Sequence, residues 1–386
     1  MFLFERLIGV GLYSLVLVLV CLSLVGKSSK NIKGHLFLYS IILSVFAYHF
    51  VPYETADLYR INEYVVAFQQ YSINSFWQTH VLQSDLGIAG ILYWVVGKIG
   101  IPQLLPAITA FVCYSCIFYI IRRTAEKNQI SGKNVAITLF FYMSIGTYMF
   151  VISGIRCMLG VSLLVFCFYR ESVEKKFNIL HIPLYILAAL IHSFSAVLIA
   201  ARFGLAIFDT KATVIRKIIY FIFFGAGILL VFHNFSEYIG KIIAKADSYL
   251  NGDSYSYVWE YIIAIITCVV IVFVFSKWRI IKDESNIKLN VWFIYEIALL
   301  VISLCVCYEF TIFHRITTYI MPIIALPFVM TALQKNDNAR CEIYKRAEVV
   351  GTITLNLTSG IIFISILLLL IACSRGSLCS LKFFIW

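Results

Sequence analysis

Long apolar segments recur along the whole chain, and they constrain its fold more than any other feature. Several of them reach the roughly 20 residues that an α-helix needs to cross a bilayer. Hydrophobic residues make up 61% of the chain and charged residues 13%, whereas soluble domains are about half apolar and a quarter charged. The segments lie at about 7–25, 35–51, 86–98, 104–121, 135–152, 155–169, 179–200, 217–233, 258–276, 291–308, 312–333 and 350–373. The sequence therefore predicts an all-α, polytopic integral membrane bundle of about 10–12 segments, forming a single transmembrane domain over residues 1–386.

The same composition excludes the secreted, cytosolic and nucleic-acid-binding classes of protein. The eleven cysteines are scattered, mostly within apolar segments, and they suggest neither a metal cluster nor a disulfide framework. An apolar run follows Arg6, and because no A-x-A-like cleavage site comes after it, we expect a retained first helix.

Basic residues predict the orientation of the chain. Six short loops carry 22 of the 31 Lys and Arg residues: 26–34, 122–133, 170–178, 201–217, 277–289 and 334–349. The excess of positive charge places these loops in the cytoplasm. Both termini then face outward, as do the segments 52–85, 153–156, 234–257 and 309–314. We expect the outer loops 52–85 and 234–257 to cap the bundle.

Two apolar segments cannot be simple crossings in this topology. Segment 86–98 must be re-entrant or interfacial, because otherwise loop 122–133 would lie outside. Segment 179–200 must enter and return, since the loops on both sides of it are basic. Pro183 opens that segment, and the polar pair His192-Ser193 marks the predicted break.

The loop after the second segment contains a predicted amphipathic helix in the outer interface. Its apolar residues recur at helical spacing: Leu58, Ile61, Val65 and Phe68. Its charged residues fall on other faces: Asp57, Arg60 and Glu63.

Arg156 and Arg315 each stand beside long apolar runs. Such an arginine either snorkels at a membrane boundary or offers its planar donors to an anion. Other ionisable residues map to the same outer half of the chain: Asp57, Arg60, His192, Glu309 and His314. Glu296, within segment 291–308, does not fit this one-sided distribution. The concentration of these ionisable residues on the outer side favours a binding subsite for a diphosphate or a carboxylate.

Four short stretches, taken in order, resemble the EpsG family of bacterial exopolysaccharide polymerases, which are related in role to Wzy-type polymerases. The resemblance spans roughly residues 35–335. In the second stretch, Cys157 stands where the family usually has glutamine, which leaves that residue's role open. The stretches are Asp57-Leu58-Tyr59-Arg60 with Tyr64, then Gly154-Ile155-Arg156, then Leu187-Ala188-Ala189-Leu190-Ile191-His192-Ser193, and Arg315-Ile316-Thr317-Thr318-Tyr319 with Pro322.

The resemblance implies a reaction on the outer face of the bacterial cytoplasmic membrane, performed by a multi-pass enzyme. Undecaprenyl-diphosphate-linked repeat units would be joined into exopolysaccharide or O-antigen, without a cofactor or a metal. The implied partners are these lipid-linked glycans, the bilayer, and a flippase and a chain-length regulator of the same pathway. No nucleic acid is involved.

The residue chemistry suggests roles within such a site. Arg156 and Arg315 are predicted to hold the diphosphate, because guanidinium groups stabilise its developing charge. An acceptor hydroxyl needs a base, and His192, Asp57, Glu309 or His314 could serve. Of the two catalytic candidates, His192 and Asp57, His192 is preferred, because a break in a helix could present its imidazole to a cavity. Asp57 could instead orient the sugar or pair with an arginine. Further substrate contacts are predicted for Arg60, Tyr64, Glu309, His314 and Tyr319.

Other functions also fit the sequence. An integral membrane glycosyltransferase that uses a polyprenyl-phosphate sugar would share an outer acid such as Asp57 and would need a metal. A flippase or transporter of the lipid-linked unit would show a charged path through the membrane and internal repeats, which are not visible. A polymer ligase or a surface acyltransferase remains open as well.

Overall fold

A computed structural model provides the coordinates of the protein. It describes residues 2–52, 57–78, 88–145, 147–174, 176, 178–207, 214, 218, 222, 225, 258–280, 290–305, 307, 310–346 and 351–374. Glu309, loop 234–257 and most of segment 217–233 therefore lie outside the described residues.

The regular elements of the described chain are helices, which confirms the all-α prediction. A 3₁₀ turn follows α3 at Phe68–Gln70, and a π-helical turn, Arg315–Ile320, lies between α14 and α15. The α-helices are α1 Phe2–Leu24, α2 Lys33–Tyr48, α3 Asp57–Ala67, α4 Ile73–Phe76, α5 Ala89–Ile99, α6 Leu104–Asn128, α7 Gly132–Ser144, α8 Thr147–Ser153, α9 Ile155–Ser172, α10 His181–Ile191, α11 Ser193–Ile207, α12 Val258–Ile280, α13 Asn290–Cys305, α14 Phe310–His314, α15 Met321–Arg346 and α16 Gly351–Ser374.

Two stretches are long and apolar enough to cross a membrane, Leu104–Asn128 and Ile312–Gln334. Eight further apolar helical stretches of 10–17 residues accompany them in the described part of the chain. In the second long stretch, 94% of the most apolar window is buried inside the protein. This stretch is therefore central to the packing, and α6, α7, α12, α13 and α16 contact it.

Buried aromatic side chains tie the helices to this centre. Trp292 of α13 is fully buried and donates from Nε1 to the carbonyl oxygen of Ile324 at 2.7 Å. Tyr295 on the same helix donates to the carbonyl oxygen of Leu198 in α11 at 3.0 Å. Because a buried polar group is costly without a hydrogen-bond partner, these bonds fix α13 against both neighbours.

The apolar segment 135–152 is divided between two helices, α7 and α8, and α9 begins almost at once after α8. The junction contains Ser144, Gly146 and Thr147, which are poor helix formers. The hydrophobicity of this segment predicted its helical character but not its division. The short α8 brings the chain into the site described below.

Segment 179–200 is a helical hairpin, as its basic flanks predicted. Helix α10 ends where His192 adopts an extended backbone (φ −155°, ψ 130°), and α11 starts at the next residue. Glu171 of α9 contacts His181 at the start of α10 and Arg202 near the end of α11. Since one side chain reaches both, the two legs return to the same end of α9. The predicted break at His192 is confirmed, and the re-entry of this segment into the membrane stays a prediction.

The predicted amphipathic helix is α3. Its residues Leu58 and Val65 are fully buried, together with Phe68 in the turn that follows. They pack against α5, where Trp94 donates from Nε1 to the carbonyl oxygen of Tyr71 at 3.0 Å. Helix α5 has 11 residues and is roughly 16 Å long, about half of a bilayer's hydrocarbon core. This length agrees with the prediction that segment 86–98 does not cross.

Candidate functional site

A cavity of about 200 Å³ lies where distant parts of the chain meet. Three of the four stretches singled out in the sequence contribute to its wall. The lining residues are Asp57, Met149, Phe150, Ser153, Gly154, Cys157, Arg315 and Tyr319. An acid, a guanidinium, a hydroxyl and a thiol thus share one small space with an apolar wall.

The π-helical turn places Arg315 and Tyr319 on the same cavity. A π-helical turn is wider than an α-helical one and is frequent at functional sites. Hydroxyl groups support it locally, since Thr317 donates to the carbonyl oxygen of Phe313 at 2.8 Å and Thr318 donates to that of His314. The widened turn therefore presents a guanidinium and a phenol side by side.

Gly154 separates α8 from α9 and lets Tyr319 approach the junction closely. A Cβ atom at this position would lie 2.9 Å from the carbonyl oxygen of Phe150 and 3.6 Å from the hydroxyl of Tyr319. A side chain here would collide with the carbonyl oxygen of Phe150, whereas its Cβ would make only an ordinary van der Waals contact with the tyrosine. Helix α9 begins at this junction, and its N-terminal end carries a partial positive charge.

Asp57 stands in the first turn of α3 and reaches the cavity. Its carboxylate forms an ion pair with Arg60, in which both side chains are more than half exposed. Arg60 is not among the lining residues. The structure thus brings the acid of the first stretch to the site and keeps the neighbouring arginine at its edge.

His192 does not line the cavity, although the positive charges of Arg156 and Arg315 both act on its imidazole. Its Nδ1 accepts a hydrogen bond from the backbone N–H of Phe194 at 3.1 Å, at the start of α11. A neutral imidazole with an accepting Nδ1 carries its proton on Nε2. In this arrangement the ring offers a hydrogen-bond donor, and a role as base requires the Nδ1 bond to break first.

Arg156, the second residue of α9, lies beside the cavity rather than in its wall. Its charge acts on the neighbouring Cys157, on His192 and on Tyr93. The two predicted diphosphate ligands therefore occupy adjoining positions around one site. Only Arg315 faces the cavity itself.

Sequence reasoning missed Tyr93 of α5. Its side chain is fully buried, and its hydroxyl has no hydrogen-bond partner among the described residues. The charges of Arg156 and Asp57 both act on this phenol. The one available signal was the prediction that segment 86–98 folds back at the outer face, which did not indicate which of its residues faces the site.

The apolar wall was also missed. The rings of Phe150 and Tyr319 lie 4.7 Å apart, and Met149 continues this surface. His314 stands behind the wall, with its ring edge-on to Phe150 at 4.9 Å. Phe150 and Met149 resemble any other residues of a long apolar run, so their sequence carries no functional signal.

Three of the further predicted contacts, Arg60, Tyr64 and His314, are not brought to the cavity wall, and a fourth cannot be placed. Tyr64 is 52% exposed and stacks on Phe68 at 6.2 Å. His314 supports the wall without lining it. Glu309 is outside the described residues. In the part of the chain that the structure describes, no three His, Cys, Asp or Glu side chains are grouped so that they could hold a metal ion.

The model of the EpsG family matches residues 88–345, about two thirds of the chain. This range includes the second, third and fourth stretches and leaves the Asp57 stretch outside. No curated protein and no solved structure matches the chain. Together with the apolar helices, the match indicates a membrane protein of polysaccharide biosynthesis. The chain belongs to the EpsG family.

Proposed function

We propose that the protein is a polysaccharide polymerase that joins undecaprenyl-diphosphate-linked repeat units into exopolysaccharide or O-antigen. The observation that carries this proposal is the convergence of three distant stretches on one cavity, which combines Arg315 and Asp57 with an aromatic wall. Membership of the EpsG family supports the same reaction class.

The chemistry of the cavity suits a glycosyl transfer from a lipid diphosphate. An acceptor hydroxyl attacks the anomeric carbon of the donor sugar, and the new C–O bond forms as the bond to the diphosphate oxygen breaks. The lipid diphosphate leaves with the electron pair, and its negative charge is stabilised by Arg315 and by the neighbouring Arg156. The rings of Phe150 and Tyr319 supply a flat surface for the sugar.

The proton of the attacking hydroxyl needs an acceptor within the site. Asp57 offers carboxylate oxygens at the cavity itself. His192, with Nδ1 engaged by a backbone N–H, offers a donor at Nε2. We therefore assign the base to Asp57 and give His192 the task of binding an oxygen of the diphosphate or of the acceptor sugar.

The proposed setting is the bacterial cytoplasmic membrane, crossed several times, with the cavity open to the outer face. The charge distribution over the loops supports this orientation. The proposed partners are the lipid-linked glycan units, the bilayer, and a flippase and a chain-length regulator of the same pathway.

The proposal is tested by the length distribution of the host's surface glycan with Arg315→Gln, at matched protein level. We expect long chains to be lost while complete single lipid-linked units persist on the outer face. Arg122→Gln is the control, because it removes a guanidinium that does not line the cavity and pairs with Glu126. Units trapped inside the cell would indicate a flippase, incomplete units a single-sugar transferase, and unchanged chains would remove Arg315 from the site.

A further inference from the structure

A buried charged group lies at the end of α9 away from the cavity. The carboxylate of Glu171, whose side chain is 5% exposed, lies 3.1 Å from Nδ1 of His181. It accepts a hydrogen bond from the hydroxyl of Tyr185 at 3.0 Å and pairs with Arg202 at 3.6 Å. Buried charges are costly unless they are paired in good geometry, so this arrangement holds its members in a defined relation.

The partners of Glu171 belong to both legs of the hairpin. His181 is the first residue of α10, and Tyr185 follows one turn later. Arg202 lies on α11, and its guanidinium also packs on the ring of Phe168 of α9 at 4.4 Å. One carboxylate therefore fixes the start of the incoming leg and the end of the returning leg against the same helix.

The hairpin stays in contact with α9 up to its tip. A Cβ atom at Gly160 would collide with Oγ of Ser195 and would lie 3.0 Å from the carbonyl oxygen of Ala188. Helix α10 has 11 residues, so the anchor lies roughly 16 Å from the tip where His192 stands. Helix α9 carries Glu171 near one end and Arg156 near the other. The helix that anchors the hairpin legs therefore also borders the site at the hairpin tip.

We propose that Glu171 is a positioning residue, which sets the depth of the hairpin so that His192 meets the site beside Arg156 and Arg315. The role given to the hairpin tip rests on the proposed function. The role of Glu171 as an anchor rests on the geometry of α9 alone. Glu174 provides the contrast. It is equally buried two residues beyond α9, but it pairs with Arg123 of α6 at 2.6 Å and with Arg170, and it accepts a hydrogen bond from Tyr119. The polar partners given for it among the described residues thus lie outside the hairpin.

The test compares Glu171→Gln with Glu174→Gln in the full-length protein in lipid nanodiscs. Amide hydrogen exchange of residues 188–196 should become about tenfold faster in Glu171→Gln, because the legs lose their common anchor. Polymer yield in the host should fall on the order of tenfold as the tip is displaced. Glu174→Gln should keep the wild-type exchange at the tip and the wild-type yield.

A double variant separates positioning from stability. Glu171→Gln leaves the charge of Arg202 buried without its carboxylate, and adding Arg202→Gln removes that penalty. We expect the double variant to regain melting temperature, while the exchange at the tip stays fast and the polymer yield stays low.

Unchanged exchange at the tip in Glu171→Gln would overturn the proposal. It would equally be overturned if the yield of the double variant recovered together with its melting temperature. Hydrogen exchange reports on the hairpin whatever reaction the protein performs. If Arg315→Gln leaves lipid-linked units trapped inside the cell or incomplete while the exchange results are as expected, the proposed function fails and the anchor stands.

Discussion

The role of a side chain in this site depends on the partner that the fold gives it. His192 attracts attention in the sequence as an ionisable residue within an apolar segment. The structure uses its Nδ1 to cap the start of α11, which leaves Nε2 as a donor. Asp57 was the second candidate for the base in the sequence, and it lines the cavity. His192 and Asp57 thus exchange the roles that the sequence suggested, since Asp57 is placed to act as the base and His192 to donate a hydrogen bond.

Tyr93 allows a test of the site by removal of one atom. Its hydroxyl has no partner among the described residues, so Tyr93→Phe should leave the melting temperature unchanged or raise it. Because the charges of Arg156 and Asp57 act on this hydroxyl, we expect it to bond to one of them or to substrate when the site fills. The yield of long glycan should fall roughly two- to tenfold, the effect of one hydrogen bond.

Tyr39→Phe is the matched control for this prediction. Neither tyrosine lines the cavity. Tyr39 is equally buried, and its hydroxyl likewise has no partner among the described residues, but its ring stacks on Phe118, and Arg156 and Asp57 are not among the groups whose charges act on it. Its glycan should be of wild-type length and amount. A Tyr93→Phe protein that makes normal polymer would show that the phenol is only part of the packing.

At the scale of elements, helix α9 organises the site. Its first turn carries Gly154, Arg156 and Cys157, and its last turns carry the anchor of the hairpin. The π-helical turn faces the first turn of α9 across the cavity wall. The geometry of the site thus depends on how closely the hairpin and the π-helical turn approach α9.

The hairpin approaches α9 closely at Gly160, which makes Gly160→Ala a test at this scale. The added methyl group would collide with Ser195 Oγ and force the hairpin outward. Overpacking of this kind costs about 1–3 kcal/mol, and we expect a lower melting temperature together with shorter glycan chains. Adding Ser195→Ala removes the collision with the hydroxyl and should recover part of both losses.

Gly11→Ala serves as the control for a glycine in a helix with open space around it. There the substitution should be neutral or stabilise the protein by up to about 1 kcal/mol. Wild-type glycan and stability in Gly160→Ala would mean that the hairpin has freedom to move away from α9 without consequence.

For the whole molecule, the sequence predicts the helices better than it predicts their boundaries and the contacts between them. Periodicity and hydrophobicity located α3, the hairpin and most of the long helices, because these depend on local pattern. The division of segment 135–152 was not predictable, since Gly146 alone does not decide whether a helix ends or continues.

The site was predictable to the extent that it uses charged residues in apolar surroundings. Asp57, Arg315 and Tyr319 were selected on that basis or by family resemblance, and they line the cavity. Phe150 and Tyr93 could not be selected, because an aromatic residue in a membrane segment is commonplace and its direction depends on the packing of distant helices. Their positions at or beside the site are visible only in the three-dimensional structure.

Reconstituted polymerisation tests the central claim most directly. The full-length protein in liposomes would be supplied with single lipid-linked repeat units, extracted from host cells that lack this protein. Products would be separated by length, with Arg315→Gln alongside. We expect a ladder of lipid-linked oligomers for the wild-type protein and single units alone for Arg315→Gln. Single units alone with the wild-type protein, or the same ladder with Arg315→Gln, would contradict it.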